Sequence, residues 1–336
     1  MSSSRTARTV RNVRTELELS RGRPLLGYKA IKSETNDQGT GPIKNAAHTE
    51  PPERRRLIRL LDEEIQYIFA RAQLPDSDPP LWSMDDLKWY LKMAKNWSVV
   101  ALSELASQRP PGRLLDVGAF YCLASGAAYR MGWQSSGVDF RPIPNYSGLG
   151  DPARNAATAV CNICTDPLPF ESESFDAVLF LEVLEHLPYS PAPAFREMRR
   201  VLRPGGRLYL TTPNPASLSR ICALLSGANH EPSAESVLLE DDTFTYKGRT
   251  FFRSGREHRL WTARELTRYL PSWGFRVVDS YYYSTTFFNP DYASFKQRLR
   301  ATINTTLRPF ARRIPLLGGG GLFFLAEARG NDEPAK

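Results

Sequence analysis

The 336-residue chain contains no apolar run near the ~18 residues that a membrane-crossing helix requires. Its best candidate, Gly321 to Ala326, is far shorter and reads as a buried strand. Cysteine is scarce as well: Cys122, Cys161, Cys164 and Cys222 are too few and too irregularly spaced for a disulfide framework. The N-terminus is basic but lacks the apolar core of a secretion signal. Together these gaps predict a protein of the reducing cytoplasm without a transmembrane segment. No internal repeat is present.

What is present is the composition of a globular protein, 41% hydrophobic and 24% charged, enough for a sizeable core in one large domain or two ordinary ones. The net charge of +8 is unevenly placed. Arg5, Arg8, Arg11, Arg14, Arg21, Arg23, Lys29 and Lys32 face only Glu16 and Glu18, and Lys296 to Arg313 holds no acid at all. Such stretches suit nucleic acid, anionic lipid at a membrane periphery or an acidic substrate; the plainer alternative is a solvated tail and a solvated helix face.

Three segments follow from the pattern. Residues 1–52 lack periodicity and are rich in Ser, Thr, Gly and Asn, which predicts a basic, disordered segment. Residues 53–109 predict a helical extension. Leu57, Leu60, Leu61, Ile65, Ile68 and Phe69 recur at helical spacing, and Ser83 with Asp86 makes a capping pattern before a second, Trp-rich helix running to about Ser107. That helix either packs on the sheet edge or roofs a site. Residues 110–330 alternate short apolar strands with helices, the rhythm of a parallel α/β sheet, interrupted at 216–256 by an insertion that would overhang the sheet's carboxyl edge.

The chemistry concentrates in Arg113 to Phe140, RLLDVGAFYCLASGAAYRMGWQSSGVDF. A strand holding Asp116 breaks at Gly118, a small-residue helix follows over Leu123 to Tyr129, and a second strand, Ser136 to Asp139, ends on an acid. This βαβ layout suits an adenosine-type cofactor, with Asp139 about twenty residues past the turn, where a carboxylate accepts from both ribose hydroxyls. Glycine is short here: the turn reads Gly118-Ala119-Phe120-Tyr121-Cys122 where cofactor-cradling turns carry two or three glycines. A dinucleotide-dependent oxidoreductase would need those later glycines for pyrophosphate.

Further on come DPLPFESESFDAVLFLEVLEHL, REMRRVLRPGGRLYLTTPN, EHRLWTARELTRYLPSWGFRVV and GLFFLAEARG. As an ordered set with LLDVGAF and GVDF, they resemble the class I S-adenosylmethionine (SAM) dependent methyltransferases over roughly Gly112 to Gly330. The resemblance implies a Rossmann-like, seven-stranded, mostly parallel sheet whose last strand is antiparallel and inserted between the fifth and sixth. It implies SAM as the cofactor. Asp116 would orient its amino group, with Gly118, Ala119 and Phe120 passing beside it. Asp139 would hold the ribose, Phe140 the adenine face, and Asn162 and Ile163 the adenine edge. Leu181 and Glu182 would lie near the sulfonium.

Glu182, Glu185 and His186 form Glu-x-x-Glu-His, similar to the metal-binding run of ubiquinone-pathway O-methyltransferases. The same residues could instead cap the following helix, and no metal ligand is assigned. His186, Glu185 and His258 are the candidate catalytic residues, His186 as a general base and His258 as a substrate contact before a helix that could overhang the acceptor pocket, or else a packed or capping histidine. Cys161-x-x-Cys164 has no second pair to complete a zinc site. The place after the fourth strand, Leu181-Glu182-Val183-Leu184, lacks the Asn/Asp-Pro-Pro-aromatic signature of base amino-methylation. The reading is methyl transfer to a small molecule or glycan precursor, at oxygen. The alternatives are an RNA or protein methyltransferase docking through the basic stretches, and an inactive SAM-fold binding or scaffold protein, which the glycine-poor turn would favour.

Overall fold

The structure is a computed structural model and describes residues 52–74, 76, 78, 83–108, 110–227, 243–252, 257–284 and 312–330. The segment expected to be disordered, most of the Lys296–Arg313 stretch and the middle of the 216–256 insertion lie outside these residues. The described elements belong to one compact unit, spanning 48–231 and 241–336.

Two helices come first, α1 (Pro52–Ala72) and α2 (Met84–Gln108). Ser83 Oγ accepts from Asp86 N at 3.0 Å, so the expected cap starts α2. The sheet then opens with β1 (Arg113–Val117), α3 (Leu123–Arg130), β2 (Gln134–Asp139), β3 (Thr158–Val160) and β4 (Phe175–Leu181). After them come α4 (Ala192–Val201), β5 (Leu202–Pro213), α5 (Leu218–Leu225) and a hairpin of β6 (Thr243–Tyr246) and β7 (Arg249–Phe252). The chain closes with α6 (Ala263–Tyr269), β8 (Phe275–Tyr283) and β9 (Gly321–Ala328).

Seven strands join in the order β3-β2-β1-β4-β5-β9-β8, with β9 antiparallel to both neighbours, as the resemblance implied. The strands with unbroken apolar sequence take the centre, because only there are both faces covered. Alternate residues of β4 divide between two layers. Ala177, Leu179 and Leu181 pack with Leu61, Leu91 and Leu102 of α1 and α2, while Val178 and Phe180 pack with Phe195, Met198 and Leu266 of α4 and α6.

Two strand ends are irregular. β5 begins at Leu202: Leu202 pairs with Phe175 and Arg207 with Ala177, so Arg203-Pro204-Gly205-Gly206 bulges out of the ladder, helped by Gly205 at φ 72°. β3 stops at Val160, before the cysteines. It is an edge strand with Thr158 and Val160 exposed, since nothing pairs beyond it. α6 follows its signals closely: Thr262 and Glu265 form a reciprocal capping box, and Gly274 at φ 91° ends the turn after it.

α1 is fastened by charge as well as by its apolar stripe. Glu64 is wholly buried, and its carboxylate accepts from Arg154 Nη1 at 2.6 Å, Arg154 Nη2 at 2.9 Å and Arg130 Nε at 2.6 Å. The Arg154 guanidinium also lies 4.2 Å from the Tyr67 ring centroid, and Tyr67 donates to Asp151. This cluster ties α1 to the end of α3 and to the loop after β2.

Candidate cofactor and acceptor site

Strand order reverses between β1 and β4, which opens a crevice at the carboxyl ends of the strands. The turn after β1 lies there. Gly118 N and Ala119 N donate to Val138 O at 2.8 and 3.0 Å, Phe120 N to Asp139 Oδ2 at 3.0 Å, and Cys122 N to Ala119 O at 2.6 Å. Gly118 sits at φ 78°, Phe120 at 43° and Cys122 at 54°. The backbone therefore keeps the left-handed course of a glycine-rich turn although two of the residues carry side chains, at about 1–2 kcal/mol each.

Surrounding contacts hold that strained course. The Phe120 ring meets Tyr90 of α2 at 4.7 Å and Tyr121 at 4.0 Å, and the Cys122 side chain is fully buried. Close approach is provided from the other side instead: a Cβ at Gly148 would overlap the Cys122 carbonyl. At Gly118 the glycine is needed twice, for its φ and because a Cβ would overlap the Val183 side chain.

Two acids flank the turn on adjacent parallel strands. Asp116 is 5% exposed and accepts from Ser125 Oγ at 2.6 Å. Burial pushes its pKa up to about 7, and the Asp139 charge adds to the rise. Asp139 is also buried. Besides Phe120 N, it accepts from Arg141 N at 3.0 Å and Arg141 Nε at 3.4 Å. The Arg141 guanidinium lies 4.0 Å from the Phe120 centroid and 4.7 Å from that of Phe140, which is partly exposed. Asn162 and Ile163 follow β3. Asn162 Oδ1 accepts from Cys164 N, its own N–H donates to Asp166, and Ile163 is buried.

A small pocket opens beside the turn. Asp116, Gly118, Ala119 and Leu181 line it from the strand ends, and Leu123 and Ala124 from α3. Tyr90, Ala94, Trp97 and Ser98 complete it from α2, so the Trp-rich helix is a roof. Ser98 was not singled out in the sequence. The available signal was a lone hydroxyl within the apolar helical run Trp97-Ser98-Val99-Val100. Phe120 and Asp139 belong to the adjoining turn and strand end rather than to the pocket wall; Phe140, Asn162 and Ile163 lie off the wall as well.

A second group gathers where β4 ends. Glu182 has φ 53°, its N–H donates to Thr211 O at 3.0 Å, and its carboxylate accepts from Tyr283 Oη at 3.0 Å. Burial raises its pKa to about 8, and the Glu185 charge pushes the same way. Glu185 is 1% exposed, accepts from Thr212 Oγ1 at 3.0 Å, and is likewise raised by burial to about 8. Its backbone carbonyl accepts from His258 N at 2.6 Å, while the His258 side chain is exposed. His186 Nε2 lies 3.7 Å from Glu185 Oε1, and His186 Nδ1 is buried without a hydrogen-bond partner. Glu185, His186 and the backbone of His258 are thus brought together. Among the described residues, no group of three or more His, Cys, Asp or Glu is placed to share a metal ion.

In comparison with known proteins, residues 115–210 match the family model described as "Methyltransferase domain". The chain is 33% identical over 108 residues to the ubiquinone biosynthesis O-methyltransferase of Xanthomonas oryzae pv. oryzae, a match covering 30% of this chain and 43% of the relative. It is 33% identical over 150 residues to that of Xylella fastidiosa, covering 42% and 57%. These matches span less than two thirds of each relative. Among solved structures, the 1,6-didemethyltoxoflavin-N1-methyltransferase of Burkholderia thailandensis aligns at 16% identity with a TM-score of 0.44, covering 85% of this chain and 94% of that one. No helix among the described residues is long and apolar enough to cross a membrane.

Proposed function

Because residues 115–210 form a methyltransferase domain, we propose that the protein transfers a methyl group from SAM to a hydroxyl oxygen of a small organic acceptor. The observation that carries this reading is the pair Asp116 and Asp139, buried at the carboxyl ends of adjacent parallel strands on either side of a left-handed turn. The pocket beside them fits a cationic ligand: it holds a buried carboxylate, and no Lys, Arg or His lines it. The naming of the curated relatives as O-methyltransferases supports oxygen as the acceptor atom.

When bound, SAM supplies an electrophilic methyl group on a sulfonium. Asp116 pairs with the ammonium of its amino-acid end. Asp139 accepts from the ribose hydroxyls once Arg141 Nε gives up its contact, with Phe140 against the adenine and Asn162 and Ile163 at its edge. Leu181 excludes water beside the reacting centre, and Glu182, held by Tyr283, walls the acceptor side. His186, with Glu185 Oε1 3.7 Å from its Nε2, would take the proton that the acceptor hydroxyl loses. Positioning contributes most of the rate in such an in-line displacement. A base contributes about 10²–10⁴-fold, so His186→Ala is expected to lower kcat by that order while leaving SAM affinity unchanged.

Asp116 gives the reading a pH signature. Its pKa is raised to about 7, so below that pH it is neutral and cannot pair with an ammonium. SAM affinity, measured by calorimetry from pH 5.5 to 8.5 (a range of about three units around that value), is expected to rise with pH through neutrality and then level off. A flat profile would remove Asp116 from the site. The stability of the ligand-free protein is expected to show the opposite slope. Asp116, Glu182 and Glu185 all have folded-state pKa values above their ordinary ones, so the stability they contribute is fully present below about pH 4 and lost as pH rises through 7 to 8.

The test of the function is calorimetry with SAM and S-adenosylhomocysteine on the purified full chain, followed by methyl transfer to a panel of small hydroxylated acceptors. Failure to bind either ligand at millimolar concentration, about the weak limit of specific recognition, would sink the enzyme reading.

A further inference from the structure

The Ser98 hydroxyl is buried and has no hydrogen-bond partner, and the residue, 1% exposed, lines the pocket that holds Asp116. That is unusual for a serine within a helix, where the hydroxyl ordinarily bonds back to a carbonyl one turn earlier. Two other serines of α2 do bond back: Ser103 Oγ donates to Val99 O at 2.6 Å and Ser107 Oγ to Glu104 O at 3.0 Å. A buried donor left unmade is costly, and such a group calls for an explanation.

The remaining donors at the pocket narrow that explanation. On the proposed function, Asp116 takes the ammonium of the cofactor's amino-acid end, and the carboxylate on the same carbon needs a donor of its own. The turn has few left to supply, because the N–H groups of Gly118, Ala119, Phe120 and Cys122 are already donated within the protein. No cationic side chain lines the pocket. The polar side chains that do are Tyr90, Trp97, Ser98 and Asp116. Of these, Ser98 carries a buried donor with nothing to donate to.

We propose that Ser98 Oγ donates its proton to the α-carboxylate of the cofactor, so that α2 is a wall of the cofactor site. This inference rests on the SAM reading and refines it. The second helix of the segment 53–109 then meets the amino-acid end of the cofactor. Asp116 and Ser98 then read opposite charges on one carbon, and each group is buried in the ligand-free protein in a form that the ligand relieves.

The inference is tested by calorimetry on the full chain with two probes, SAM and decarboxylated SAM, which keeps the ammonium and lacks the carboxylate. A hydrogen bond to a charged group corresponds to about 10–100-fold in affinity. Ser98→Ala is expected to weaken SAM binding by that factor and to leave the affinity for decarboxylated SAM within about twofold of wild type. The same variant, free of ligand, is expected to melt no lower than wild type, because it deletes an orphan hydroxyl rather than a contact. Ser98→Cys, a weaker donor of similar size, is expected to fall between. Equal losses for both probes, or no loss for SAM, would overturn the role of Ser98 while the wild-type affinity for SAM leaves the proposed function standing. If wild type binds neither probe, the function fails first and this inference falls with it.

Discussion

Glu64→Ala is expected to lower the unfolding free energy by about 3–5 kcal/mol, read as a fall in the denaturant midpoint, although Glu64 belongs to neither the pocket nor the acid pair. The reason is what the substitution leaves behind. Arg154 is 9% exposed, donates through both terminal nitrogens to Glu64, and without that carboxylate keeps the Gly148 carbonyl, the faces of Tyr67 and Tyr129 and the nearby charge of Asp151, but no carboxylate paired to its guanidinium. An uncompensated buried guanidinium costs far more than the intact pair contributes. Arg130, with about a third of its side chain exposed, can turn to water and adds less. The double variant Glu64→Leu with Arg154→Leu is therefore expected to be more stable than Glu64→Ala alone. If the single and double variants unfold at the same midpoint, the charge cluster is not what fastens α1.

The Glu64 cluster also marks where the sequence stops being informative. The βαβ pattern from Arg113 to Phe140, the Ser83 and Thr262 caps and the strand Gly321–Ala328 are local signals. Each comes from a run of apolar residues or a cap within one turn, and the structure repeats them within a residue or two. Glu64 finds Arg130 and Arg154 across separations of 66 and 90 residues. Nothing in an amphipathic helix announces that one of its acids faces inward. The turn at Gly118–Cys122 shows a different limit. Residue types set which backbone angles are comfortable, but Phe120 and Cys122 are held in left-handed angles by Tyr90 and Gly148, which the chain brings from elsewhere. The glycine-poor turn, read from composition as support for an inactive protein, nonetheless has Phe120 and Cys122 at left-handed angles. Ser98 was legible as a polar interruption in an apolar run; that its hydroxyl is orphaned is a tertiary fact.

Asp139→Ala is expected to weaken SAM and S-adenosylhomocysteine alike by about 100-fold or more. On the proposed function, each carboxylate oxygen accepts from one ribose hydroxyl, and a hydrogen bond to a charged group is worth about 1.5–3 kcal/mol. The loss has a second source within the protein. Asp139 Oδ2 accepts from Phe120 N and Oδ1 from Arg141 N, so the carboxylate also holds the strained turn against the end of β2. Removing it frees Phe120 from one of the contacts that keep it at φ 43°, and a modest fall in melting temperature is expected alongside the lost affinity. Asp139→Asn separates the two sources. Its amide oxygen can still accept from Phe120 N, so that contact with the turn is retained, while its NH₂ group faces Arg141 N and a ribose hydroxyl as a donor and the charge is lost. That variant is expected to melt higher than Asp139→Ala and still to bind SAM at least about tenfold more weakly than wild type. A different result, in which Asp139→Asn binds as wild type and Asp139→Ala loses affinity only in step with its stability, would make Asp139 a brace for the turn. The ribose would then have to be held by other groups at the ends of β1 and β2.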